Sequence, residues 1–268
     1  MLMDLEHAKR VGIEAAYSGA KILRDQFGHI SRIGQKGAFD LVTEADTASE
    51  QKIIQIIRKS FPDHAILAEE SGVNHGNAEC QWIIDPLDGT TNYAHQLPIF
   101  SIAIALAVQD EIVLGLVLNP MDGELFSAIA GKGAALNGNP IRVTSTATVH
   151  QSLLVTGFPY DFSKIMTPVM QRFSVCQNAS QGVRRLGSAA LDICYVACGR
   201  FDAFWEQNLK PWDKAAAAVI ATEAGAVITD FANRPFALDQ KEILVSNGRI
   251  HQEMLSLLKL PDQNRSPK

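Results

Sequence analysis

Much of the usual catalytic equipment is missing from this sequence. Its seven histidines form no H-E-x-x-H pair on one helix face, and there is no G-x-x-x-x-G-K-[ST] loop and no G-x-S-x-G elbow. Zinc-hydrolase, P-loop and serine-hydrolase chemistry therefore have no residues to work with. Cysteine is scarce: Cys80, Cys176, Cys194 and Cys198 are the four. Cys194 and Cys198 share a helical face, but no further soft ligand stands at zinc spacing, and buried thiols are expected. Basic residues fall short of acidic ones, 24 Lys and Arg against 29 Asp and Glu, for a net charge of -5. That balance argues against a broad nucleic-acid footprint. No charged leader followed by an apolar run opens the chain, because Asp4, Glu6, Lys9 and Arg10 interrupt the start. The most apolar region, 99–118, is broken by Gln109-Asp110-Glu111 and reads as two strands and a turn, not a membrane span. A cytoplasmic chain with reduced thiols and no membrane association is the expectation. The glycines of 131–138 lack the G-x-G-x-x-G spacing and follow a hairpin, so they predict a turn and no dinucleotide loop.

What is present is an ordinary globular composition, 47% hydrophobic and 20% charged over 268 residues, enough for one large domain or two modest ones. One stretch organises it: Trp82-Ile83-Ile84-Asp85-Pro86-Leu87-Asp88-Gly89-Thr90-Thr91-Asn92-Tyr93. Three apolar residues read as a short buried strand, and Asp-Pro followed by Asp-Gly reads as the turn that ends it. Pro86 fixes its own φ and biases Asp85 toward an extended conformation, so the two acids can converge on one point. Asp88 or Thr90 is suited to capping a following helical turn, and free N–H groups at such a turn attract anions. Acids that hold hard cations beside donors that hold an oxyanion suit a phosphate bridged by Mg²⁺. The alternative is a plain turn, since Asp, Pro and Gly are ordinary turn residues.

Apolar spacing predicts a surface helix over 3–26 ended by Gly28, and a second running from about Thr43 to Ser60. Thr43 reads as its N-cap, with Asp46 completing a capping box. A strand at 65–68 runs into Glu69-Glu70, of which only one can face a shared centre. Strands over 99–108, 112–118 and 124–130 suit an antiparallel sheet with helices on one face. The polar stretch 144–148 is taken as a boundary between domains 1–146 and 147–268. Beyond it, strands near 152–156, 181–185, 202–206, 226–229 and 243–246 alternate with helices near 163–177, 188–198, 213–224 and 249–258, an α/β half. Asp213 after Pro211-Trp212 reads as an N-cap, and so does Gly187-Ser188-Ala189. Arg184-Arg185 is either solvated or close to a phosphate.

These segments together resemble the inositol monophosphatase family of Mg²⁺-dependent, lithium-sensitive phosphatases, over residues 3 to 258. The string 82–93 matches its signature, Lys36 to Asp46 its K-x-x-x-D-L-V-T-x-x-D segment, Glu69 to Gly72 its E-E-S-G motif, and Trp212 to Ala216 its W-D-x-A-A motif. The resemblance is nearest to the bacterial SuhB-type branch. It implies a layered αβαβα sandwich of the α/β (α+β) class, with a largely antiparallel N-terminal sheet carrying two helices and a C-terminal α/β half. It implies two to three Mg²⁺ ions on Glu69, Asp85, the Leu87 carbonyl, Asp88 and Asp213, with Lys36 near them. Glu69, Thr90 and Asp46 would activate water. Gly89, Thr90, Thr91, Gly187, Ser188, Ala189, Glu206, Asp213 and Arg184 would contact substrate. The implied reaction is hydrolysis of myo-inositol 1-phosphate, by a homodimer. Phosphatases of fructose bisphosphate, histidinol phosphate, NADP or 3′-phosphoadenosine phosphates share the scaffold, and a SuhB-type member implies a second role as a Nus-complex and RNA polymerase partner in ribosomal RNA antitermination. Lys214 and Ala217 depart from the family pattern, which more often has a neutral residue and Gly there.

Overall fold

The structure, a computed structural model, describes residues 3–29, 33–35, 41–74, 76–159 and 165–260. Helix α1 (Leu5–Gln26) starts where Asp4 accepts a hydrogen bond from the His7 N–H at 2.9 Å, and buries a stripe of Ala8, Ala15, Ala16, Ala20 and Leu23. A short ribbon, β1 (Ile33–Gln35) with β2 (Leu41–Thr43), leads into α2 (Glu44–Ser60). Then come β3 (His64–Ala68), β4 (Gly72–Asn74), β5 (Asn77–Asp88), the short helix α3 (Thr90–Ala94), β6 (Ser101–Val108), β7 (Glu111–Asn119), β8 (Glu124–Ile129), β9 (Ala134–Leu136) and β10 (Asn139–Pro140). Eight of these strands form one sheet in the order β10-β9-β8-β7-β6-β5-β3-β4, antiparallel except where β3 runs parallel to β5.

The second sheet follows: β11 (Leu153–Thr156), helix α4 (Met166–Ala179), β12 (Gly182–Arg184), α5 (Ala189–Ala197), β13 (Ala203–Gln207), α6 (Pro211–Glu223), β14 (Val227–Thr229), β15 (Glu242–Ser246) and α7 (His251–Leu258). Its order is β12-β11-β13-β15-β14, with β11 parallel to both neighbours and β15 antiparallel to both of its own. Three apolar clusters give five layers. Helices α1 and α2 cover one face of the large sheet, α5 and α6 lie between the two sheets, and α4 and α7 cover the outer face of the small sheet.

The expectation of helices on one face of the first sheet is corrected by this layering, since both faces are covered. Along β6, Ile102, Ile104 and Leu106 face α1 and α2, whereas Ala103, Ala105 and Ala107 face α5 and α6. The alternation is of side-chain size, not polarity. Small residues let the middle helices approach closely: a Cβ on Gly115 of β7 would stand 2.2 Å from the Ala216 carbonyl oxygen of α6. Burying each Ile or Leu on the large-residue face contributes about 1.5–3 kcal/mol. Helix α6 presents Ala215 to Ala218, all buried, between the sheets, which fixes where its N-terminus lies.

Candidate active site

Four chain segments end around one cavity of about 830 Å³. The first is β5. Its pairing with β6 slips between Asp85 and Asp88, where Pro86 has no N–H to give to a ladder. The Leu87 N–H folds back onto Asp85 Oδ1 at 3.0 Å, and Asp85, Leu87 and Asp88 all line the cavity. The second is the end of β3. The Glu69 N–H donates to the Ile84 carbonyl at 3.2 Å, which prolongs the parallel pairing by one residue and leaves Glu69 on the cavity wall. Glu70 does not line it; the Glu70 and Ser71 N–H groups are held by the buried Glu50 carboxylate at 2.8 and 2.9 Å.

The third and fourth segments come from the other half of the chain. At the start of α6, Lys210 is the N-cap and Pro211 the first helical residue, so Asp213 is at the third position and accepts from the Lys210 N–H at 2.7 Å. It therefore closes the cap from inside the helix and is not the N-cap itself. At the start of α5, the free N–H groups of Ala189 and Ala190 donate to Asp88 at 3.2 and 2.8 Å, and Ser188 Oγ donates to Asp88 Oδ2 at 2.6 Å. Asp88 thus caps a helix a hundred residues away. It does not cap α3, whose N-cap is Gly89 at φ 102° with no side-chain hydrogen bond. A left-handed φ suits glycine there.

Crowding of acids dominates the electrostatics. Burial pushes Asp85 well above the ordinary carboxylate range, and the neighbouring charges of Glu69, Asp88 and Asp213 push it further. Asp213 is raised to about 8 by burial and then by Asp88. Burial raises Asp88 against the opposing hydrogen bonds from Ser188 and α5. Glu206 is raised well above its usual value by burial, then by Asp213 and Asp88. Lys214 is one cation near these acids, only 1% exposed. Burial lowers it to about 8, and its ammonium donates to the Gln240 carbonyl on the cavity-lining loop.

Among the described residues, no three of these side chains already close on a single point as a finished coordination sphere would. The donor set nevertheless fits hard cations: every group is oxygen, the carboxylates repel one another, and among the described residues no imidazole or thiolate lines the cavity. Glu69, Asp85, the Leu87 carbonyl, Asp88 and Asp213 are the residues able to hold them. Asp88 Oδ1 accepts one hydrogen bond and keeps a lone pair for this purpose.

Behind the cavity wall, Thr90 Oγ1 stands 3.0 Å from Asp46 Oδ1 and 3.1 Å from the Leu87 carbonyl oxygen, so its single proton is shared between two acceptors. Asp46 Oδ2 accepts from the Thr43 N–H at 2.8 Å and its hydroxyl at 2.5 Å. The capping box that starts α2 is therefore the same group of atoms that orients Thr90.

The Inositol monophosphatase family model matches residues 4–260. The chain belongs to the inositol monophosphatase family. It is 45% identical over 258 residues to an inositol-1-monophosphatase of Synechocystis sp., covering 95% of this chain and 90% of that one. It is 40% identical over 252 residues to the Nus factor SuhB of Haemophilus influenzae, covering 93% and 94%. The crystal structure of the extragenic suppressor protein suhB from Bartonella henselae aligns with a TM-score of 0.92 at 34% identity, over 96% of this chain and all of that one.

Within this inositol monophosphatase fold, Gly89, Thr90, Gly187, Ser188, Ala189 and Glu206 line the cavity. Thr91 and Arg184 do not. Thr91 is exposed on α3, and Arg184 is exposed on β12, its guanidinium turned back to the Val183 carbonyl. The neighbouring Arg185 lines the cavity instead, set 5.4 Å over the Phe158 ring. Adjacent residues of an extended segment project to opposite sides, so one arginine of the pair has to face away. Lys36 lies outside the described residues. Sequence reasoning missed Asp192, Ser101, Asn92 and Lys210. Asn92 Nδ2 bridges the Ile99 and Leu186 carbonyls at 2.7 Å each, tying the α3 turn to the segment before α5. Asp192 left a signal in the sequence, a lone acid in an otherwise apolar helix segment.

Proposed function

We propose that this chain is a Mg²⁺-dependent phosphomonoesterase whose preferred substrate is myo-inositol 1-phosphate, releasing inositol and inorganic phosphate. The observation that carries this reading is one cavity lined by Glu69, Asp85, Asp88 and Asp213, acids from both halves of the chain whose charges crowd on Asp85. Glu69, Asp85, the Leu87 carbonyl, Asp88 and Asp213 would hold two to three ions. Bound Mg²⁺ would supply charge neutralisation for the phosphate and the leaving alkoxide and would make water more acidic.

The chain's own groups do the rest. Thr90 Oγ1, its proton shared between Asp46 Oδ1 and the Leu87 carbonyl, can accept a hydrogen bond from the attacking water. Glu69, on the same wall, is the group assigned to receive that water's proton. The N–H groups of Gly89 and Thr90 are assigned to the non-bridging phosphate oxygens, where preformed donors stabilise developing charge. Glu206 and the Gly187-Ser188-Ala189 turn face the part of the substrate that leaves. Asp88 holds the N-terminus of α5 in place while keeping one lone pair for an ion, so its replacement would disturb the fold as well as the ion site.

Asp85→Asn is therefore the sharper test. Phosphate release from inositol 1-phosphate, measured with and without MgCl₂, should be Mg²⁺-dependent in the unsubstituted chain. It should fall by about a hundredfold or more in Asp85→Asn. Undiminished release by the variant, or release without a divalent ion, would refute the assignment. A parallel screen with fructose bisphosphate, histidinol phosphate, NADP and 3′-phosphoadenosine phosphate ranks the alternatives.

The similarity to proteins named Nus factor SuhB supports a second reading, association with RNA polymerase and Nus factors through surface residues. Pull-down of the transcription complex by Asp85→Asn separates the two: binding should persist where turnover is lost. A homodimer is also inferred from the family likeness and is checked by light scattering.

A further inference from the structure

Asp192 lines the cavity and has no part in the reading above. Asp192 is on α5, held between the two sheets among buried Ala190, Leu191, Ile193 and Cys194, and is 1% exposed. Neither of its carboxyl oxygens has a hydrogen-bond partner among the described residues, yet it lines the cavity. Its charged neighbours are Glu206, Asp88 and Arg185. Glu206 and Asp88 cannot donate when ionised, and Arg185 is set over Phe158. A buried carboxyl left without donors is costly, so the missing donors have to come from what fills the cavity.

Resting on the phosphatase reading, in which Glu206 already faces the leaving alcohol, we infer that Asp192 is a further specificity residue that binds a hydroxyl of that alcohol and adds to discrimination against hydroxyl-poor esters. The chemistry favours a neutral donor. The chain passes closely over Glu206 at Gly157, where a Cβ would stand 1.9 Å from Glu206 Oε2. A site built to accept hydrogen bonds from hydroxyls discriminates strongly against analogues that lack them.

The test compares kcat/KM for inositol 1-phosphate and for 4-nitrophenyl phosphate at one Mg²⁺ concentration, in the unsubstituted chain, Asp192→Ala and the near-isosteric Asp192→Asn. The inositol-to-nitrophenyl ratio should drop about tenfold or more in Asp192→Ala, chiefly through KM, and by less in Asp192→Asn, which keeps one acceptor. If the alanine variant fails to fold, the asparagine variant decides by the same ratio. An unchanged ratio overturns the inference, whether both rates fall together or the Mg²⁺ requirement shifts instead, the latter marking Asp192 as an ion ligand. Failure of the unsubstituted chain to hydrolyse either ester would overturn the phosphatase reading itself.

Discussion

The first turns of α2 and α5 each bury an aspartate near the same cavity, and the protein treats the two in opposite ways. Asp46 accepts three hydrogen bonds, two from Thr43 and one from Thr90. Asp192 accepts none from the described residues. Burial raises both above the ordinary carboxylate range; hydrogen bonds oppose the rise at Asp46, whereas Glu206 and Asp88 add to it at Asp192. A satisfied acid holds the fold and positions a neighbour, and an unsatisfied one is left for a ligand. The same contrast separates Glu50, tied to the backbone of Glu70 and Ser71, from Asp85, surrounded by other acids.

Removing the satisfied member should do the most damage. Asp46→Ala deprives the buried Thr43 N–H of its acceptor and releases Thr90, and should cost about 3 kcal/mol of stability in urea unfolding as well as most of the activity. Asp192→Asn should cost no stability, within about 0.5 kcal/mol, or even raise it. If the two variants lost stability equally, the distinction drawn here would fail.

A pH series sharpens the comparison with a smaller effect. Asp213 is raised to about 8 in the folded chain against an ordinary value near 4. The folded state then binds more protons than the unfolded state between about pH 4 and pH 8, so its contribution to stability is present below that window and is lost as pH rises through it. In EDTA, the stability gained by Asp213→Asn over the unsubstituted chain should grow from pH 5 to pH 8. A difference independent of pH would show that neither burial nor the neighbouring acids raise Asp213.

Local chemistry made much of this site legible in the sequence. Asp85-Pro86-Leu87-Asp88-Gly89, Glu69-Glu70 and Pro211-Trp212-Asp213 lie at strand ends and a helix start, where turn and capping residues mark position within a few residues. The Thr43–Asp46 capping box is also a short-range pattern, and the helix bounds followed from apolar spacing. The resemblance, not periodicity, supplied the five-layer order. What escaped was non-local. Alanines on β6 look like a weakly buried face until α6 is seen pressed against them, and no spacing reveals that Asp88 caps α5. Asp192 is isolated by two sheets that are distant in sequence. The pairing at Arg184-Arg185 could not be assigned because which arginine faces inward depends on the path of the chain into α5.

The central claim is that acids from both halves of the chain gather to hold divalent cations. Its most direct measurement is the melting temperature at pH 8 in EDTA and then in MgCl₂, for the unsubstituted chain and for Asp213→Asn. A ligand at a hundred times its dissociation constant stabilises by about 2.7 kcal/mol, worth roughly 5–10 °C in a chain of this size. The account predicts a rise of that order in the unsubstituted chain and a much smaller one in the variant. Equal shifts in both, or none in either, would contradict it.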